Sequence, residues 1–202
     1  LDSSLITSLL VDGDTGLWVG TYDNGLFYID LTNYEQVLFS ADSEFSNRLN
    51  NNAVSKIIQL KDGNLAVSTY GGGVNLIDSN TKQVIHNKYN IETNNTAVTN
   101  FILDIFEDNN KDLWLATHGG GLVHYDTRNN KSSTYSTKQK GKYFIGSDEI
   151  FSVIKTAKGV WLATSDAGLL LIEDNDNKTQ HIINQSRGLA SNFTYSLLED
   201  DL

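Results

Sequence analysis

Apolar and polar residues alternate in short runs along this chain, and the runs are separated by clusters of Gly, Asn and Asp. In the stretch around residue 110, 101–106 reads as a strand rich in β-formers, and Asn109-Asn110-Lys111-Asp112 as a turn. Residues 113–117 predict a second strand, broken by Gly119-Gly120-Gly121, and 122–126 a third. A turn at Arg128-Asn129-Asn130 then leads to a more polar fourth strand over 131–136. First strands such as 54–60 and 151–154 are dense in β-branched or aromatic residues. Fourth strands such as 83–89 are wetter, as an outer edge strand should be. No segment reads as a long amphipathic helix, so the pattern predicts antiparallel meanders of four strands.

That unit is written four times. Leu17-Trp18-Val19-Gly20-Thr21-Tyr22-Asp23-Asn24-Gly25-Leu26 returns as Leu65-Ala66-Val67-Ser68-Thr69-Tyr70-Gly71-Gly72-Gly73-Val74. It returns again as Leu113-Trp114-Leu115-Ala116-Thr117-His118-Gly119-Gly120-Gly121-Leu122, and as Val160-Trp161-Leu162-Ala163-Thr164-Ser165-Asp166-Ala167-Gly168-Leu169. The threonines at 21, 69, 117 and 164 lie 48, 48 and 47 residues apart. A fixed period of this size, filled with strand residues, predicts an all-β fold, a β-propeller of four four-stranded antiparallel blades. Approximate blade limits are 1–48, 49–96, 97–144 and 145–190, with 191–202 as the first strand of a fifth. Trp18, Trp114 and Trp161 share one repeat position, and a small residue follows each two places on, on the same face. A large ring beside a small residue suits two packed sheets, so all three are expected to be buried structural residues.

Residues 189–200 repeat residues 1–12 at an offset of 188, four units of 47. The chain is therefore expected to be an excerpt, about half of a propeller of about seven blades that advance about 51° each. The alternative is a closed four-bladed ring whose last strand augments the first blade. In the first case the open end faces are expected to be covered by the remaining blades, another chain or a homodimer partner.

The chain of 202 residues has no Cys, which removes disulfides, thiolate catalysis and cysteine metal sites, and suits a bacterial periplasm. It has 15 Lys+Arg against 25 Asp+Glu, a net charge of −10, and the basic residues are scattered. That disfavours nucleic acid, whose phosphates need clustered Lys/Arg. No apolar run is long enough to span a bilayer, so membrane contact is expected only through parts outside this sequence.

The repeated sentence, [LV]-W-[VL]-[GA]-T-x-x-x-G-[LV]-x-x-x-[DE], resembles the two-component regulator propeller repeat, as does the lead-in Arg187-Gly188-Leu189-Ala190-Ser191-Asn192-Phe193 with Leu197-Leu198-Glu199-Asp200. The likeness covers essentially the whole chain. Copy two departs by Ala66 and Ser68, and copy four lacks the triple glycine. The resemblance implies a periplasmic ligand-sensing region of a hybrid histidine kinase or a membrane-bound diguanylate cyclase, often for oligosaccharides. It brings no shared catalytic residue.

Second-to-third-strand loops and fourth-to-first-strand loops of a blade are expected on one face. Ligand contact is expected there, through Tyr22, Asp23, Asn24, Tyr70, His118 and Asp166, because aromatic faces beside carboxylates and amides suit sugars. The plainer reading is that these residues cover hairpins and satisfy turn geometry. His86, His118, His124 and His181 show no metal spacing, and His124 reads as a strand residue. Asp12-Gly13-Asp14-Thr15-Gly16 and Asp174-Asn175-Asp176-Asn177 are fragments of calcium-loop spacing without the closing bidentate acid. No metal, cofactor or nucleophile–base motif is expected, since the chain has no G-x-S-x-G, phosphate loop or H-E-x-x-H. The leading expectation is a sensor segment that binds and does not catalyse. A propeller-type lyase and a structural interaction scaffold stand as the alternatives.

Overall fold

The computed structural model of the chain describes residues 4–85, 100–173 and 179–200. The expectations placed on 86–99 and 174–178, including His86, the end of the fourth strand predicted over 83–89 and the second calcium-like fragment, lie outside the described residues. Each of four sheets is a meander of four antiparallel strands, the make-up of a propeller blade. The chain forms two compact units, 1–90 and 91–202, with two blades in each.

In the first unit, β1 (Ile6–Asp12), β2 (Gly16–Thr21), β3 (Leu26–Asp30) and β4 (Gln36–Phe39) form one blade. β5 (Val54–Gln59), β6 (Leu65–Thr69), β7 (Gly73–Ile77) and β8 (Val84–Ile85) form the next. Alternate residues of the facing sheets build the core between them: Trp18, Leu26 and Phe39 from one side, Val54, Ile57, Leu65, Val67 and Ile77 from the other. Trp18 is fully buried, with its ring 4.8 Å from Tyr28 and 5.4 Å from Phe39. Gly20 follows it because a Cβ there would lie 2.6 Å from Val54 Cγ1.

The second unit repeats this plan with β9 (Ile102–Glu107), β10 (Leu113–Thr117), β11 (Leu122–Asp126) and β12 (Lys131–Tyr135). Its other blade is β13 (Ile150–Thr156), β14 (Gly159–Thr164), β15 (Leu169–Glu173) and β16 (Thr179–Ile183). Trp114, Ala116, Leu122 and Tyr135 meet Ile150, Val153, Val160, Leu162 and Leu170 in its core.

Trp161 departs from the expectation of matched burial: it is only half-buried. Trp18 and Trp114 each face the next sheet of their unit. Trp161 pairs with Ile154 and Leu171 on the corresponding face of the last sheet, which is followed by the single segment 189–200. That segment, expected as a first strand, enters no ladder among the described residues. Thr194 holds it, its N–H and Oγ1 both donating to the Thr164 carbonyl, at 2.8 and 3.2 Å.

Candidate functional site

Each letter of the repeat has a bond to make at the loop between second and third strands. The threonine hydroxyl donates to the carbonyl of the glycine four residues on: Thr21 to Gly25 at 2.7 Å, Thr69 to Gly73 at 3.1 Å, Thr117 to Gly121 at 2.6 Å, Thr164 to Gly168 at 2.8 Å. The same hydroxyl accepts the N–H of Asn24, Gly120 and Ala167. The loop is thus closed by one buried side chain. Gly25 and Gly121 have φ of +82° and +77°, and a Cβ on either would collide with the carbonyl of Phe39 or Tyr135. Only glycine fits this left-handed approach.

The lead-in to the following strand locks onto that loop. The Asn52 carbonyl accepts the Gly25 N–H at 2.9 Å while its Oδ1 accepts the Ala41 N–H at 2.6 Å. Asp148 does the same to Gly121 (2.9 Å) and Thr137 (2.7 Å), and Asn192 to Gly168 (2.8 Å) and Gln185 (2.7 Å). One Asx residue, through its carbonyl and its side chain, therefore ties together three segments at one end of the sheets. The final acid of the repeat acts at the other end, in the third-to-fourth-strand turn. Side-chain and backbone bonds from Thr32 hold Asp30 below the ordinary carboxylate pKa; backbone bonds from Thr81 and Asn80 do so for Asp78, and bonds from Asn129 for Asp126.

On this pinned backbone the variable positions project outward. In the first unit Tyr22, Asp23 and Asn24 are exposed on the β2–β3 loop, and Asn24 Nδ2 donates to Ser4 Oγ. Tyr70, half-buried, begins the β6–β7 loop at the same end, its N–H bonded to the Ala53 carbonyl at 2.7 Å. In the second unit His118 opens the β10–β11 loop and Asp166 is exposed on the β14–β15 loop. His118 Nδ1 lies 2.5 Å from Glu149 Oε2, a partner that the spacing of residues did not reveal because Glu149 stands in the next blade's lead-in. His124 lies in β11 with its ring stacked on Trp114 at 4.1 Å and Nε2 3.3 Å from Asp112 Oδ2.

A concavity of about 440 Å³ lies at the opposite end of the second unit, lined by Phe106, Asp108, Asn110, Lys155, Thr156 and Glu199 among others. Asp108 is buried there, and burial works to raise its pKa. Hydrogen bonds from Trp114 Nε1 (3.3 Å), Lys155 Nζ (3.1 Å) and the N–H groups of Asp112 and Asn110 outweigh that and hold the carboxyl below its ordinary value. Lys155 also lies over the Trp114 ring, 5.6 Å from its centroid. Lys82, Asp12 and Trp18 form the same arrangement in the first unit.

Residues 1–23 and 97–119 match the family model of the two component regulator propeller. These two stretches, at the starts of blades one and three, match the two-component regulator propeller repeat. The matched stretches run from the lead-in through the first two strands, so they take in the threonines of blades one and three, Thr21 and Thr117. Among solved structures the chain resembles the extracellular domain of a one component system of B. thetaiotaomicron, at 21% identity and a TM-score of 0.73, over 97% of this chain and 25% of that one. It resembles the extracellular domain of a hybrid two component system of the same organism at 20% identity and 0.72, over 99% and 25%. Virginiamycin B lyase from Staphylococcus aureus follows at 14% and 0.61, over 89% and 55%. At these identities the likeness is one of fold, and the chain spans a quarter of the length of the first two. No curated protein sequence matches it.

Proposed function

We propose that this chain is a ligand-sensing, extracytoplasmic propeller segment of a bacterial transmembrane signalling protein of the two-component type. It acts by binding rather than catalysis, and its ligand is an oligosaccharide or another small molecule. The observation that carries this reading is the division of labour in the propeller repeats. Thr and Gly pin each loop, and an Asx three of the four, while the positions between them change from Tyr22-Asp23-Asn24 to Tyr70-Gly71-Gly72, His118-Gly119-Gly120 and Ser165-Asp166-Ala167. Variable side chains on a rigid scaffold are where recognition is tuned. Binding shifts a signalling equilibrium through a difference in affinity for its two states.

A glycan screen tests it, followed by Tyr70→Ala and His118→Ala in any binder found. Each substitution is expected to weaken binding by more than about 1 kcal/mol. If both leave affinity within about 0.5 kcal/mol, the scale of ordinary surface changes, recognition does not use these loops.

One observation favours a second reading, a lyase. Glu149 sits where it would orient His118 as a general base, and a lyase is among the propellers of like fold. Incubation with virginiamycin B, with His118→Ala as control, decides it: turnover that the substitution abolishes supports catalysis.

A further inference from the structure

The second unit carries a cluster of three aromatic rings, one half-buried and two exposed. Phe151, on β13, has its ring 5.2 Å from Phe193 and 5.2 Å from Tyr195, and the rings of Phe193 and Tyr195 lie only 16° from parallel. Phe193 is 54% exposed and Tyr195 69%. Phe151 and Tyr195 share one repeat position, filled elsewhere by Thr7, Ser55 and Leu103, and Phe193 has Leu5, Ala53, Phe101 and Glu149 as its counterparts. The position is thus variable, and the gathering of three rings is particular to this end of the second unit.

Backbone bonds set it beside the polar rim just described. The Glu149 carbonyl accepts the Ser165 N–H at 3.2 Å, and the neighbouring Thr164 carbonyl accepts the Thr194 N–H at 2.8 Å. Along this row the His118–Glu149 pair, the loop bearing Asp166 and the three rings follow one another. The Glu149 carboxylate and the His118 ring remain 35% and 48% exposed. Flat apolar faces next to an oriented carboxylate match a pyranose ring, which has a C–H face to stack and hydroxyls to donate. A nucleobase would also stack, but its phosphates would meet Glu149, Asp166 and a net charge of −10.

We propose that Phe151, Phe193 and Tyr195 form a stacking platform for one ring of a neutral oligosaccharide, with Glu149, oriented by His118, accepting from its hydroxyls. This rests on the glycan reading above and names the part of the rim that carries it. Calorimetric titration of the protein with maltotetraose, cellotetraose, xylotetraose and β-1,4-galactotetraose tests it. At least one is expected to bind, with sugar protons shifted upfield in NMR by the ring currents. Phe193→Ala and Tyr195→Ala each weaken that binding roughly tenfold and erase the shift, whereas Tyr195→Phe keeps the ring face and stays within about threefold. Glu149→Gln, which leaves the rings untouched, weakens it about threefold or more. If a tetraose binds and neither alanine variant changes its affinity, with thermal unfolding like the parent, the platform is overturned while the glycan reading stands. If none of the four binds the unaltered protein, the platform is overturned, while the sensor reading, which admits other glycans and small molecules, is decided by the screen above.

Discussion

The threonine and glycine of each repeat divide one task. The glycine lets the backbone turn left-handed against a carbonyl, and the threonine closes the loop so formed. Gly121→Ala is expected to destabilise the protein by about 2 kcal/mol or more through backbone strain and the clash with Tyr135. Thr117→Val, which keeps the shape and removes the hydroxyl, leaves the buried Gly120 N–H without its acceptor and costs about 1–3 kcal/mol. Denaturant titration of the two variants measures both. Asp108 offers a pH test with a definite sign. Its folded pKa lies below the unfolded value of about 3.9, so its stabilisation is present above that pH and is lost as pH falls through the folded pKa. Asp108→Asn should therefore destabilise the protein at pH 7, by about 2 kcal/mol, since it removes the carboxylate charge that Lys155 bonds. The gap to the parent protein should shrink steadily below about pH 4, and a gap unchanged at pH 3 would contradict the assignment.

Among the elements, the second strand of each blade is the one most completely buried, β6 and β10 along their whole length. Its tryptophan position shows how the same residue differs in worth with what faces it. Trp114→Ala removes a buried ring from the core between two sheets and is expected to cost about 3–5 kcal/mol. Trp161→Ala, at a position that is only half-buried, should cost about 1–2 kcal/mol. Equal losses in chemical denaturation would mean that the two rings are equally enclosed. The second blade fills the position with Ala66, itself fully buried, so the repeat tolerates a small residue where the packing closes around it.

For the molecule as a whole, charge and loop chemistry decide what approaches it. With 25 acidic and 15 basic residues, the protein should not bind duplex DNA at 0.15 M salt, and a gel-shift assay with a random 30-mer should show no complex. Retention that falls steeply with added salt would reveal a basic surface that the scattered lysines do not suggest.

Strand order, turn positions and the limits of β10 and β11 were legible from periodicity, because a half-buried strand must alternate and its turns need Gly, Asn or Asp. The motif also pointed to the residues that build the loop, since Thr and Gly recur wherever the same backbone does. Three features were not legible. Glu149 lies in another blade from His118, and the Asx clasp joins segments that periodicity treats as separate. Phe151, Phe193 and Tyr195 form a cluster only because Thr194 docks on Thr164. Local patterns are written in sequence because they depend on neighbours a few residues away. The partners of a side chain, and whether Trp161 is covered as Trp18 is, depend on which sheet folding brings against it, and no repeat records that.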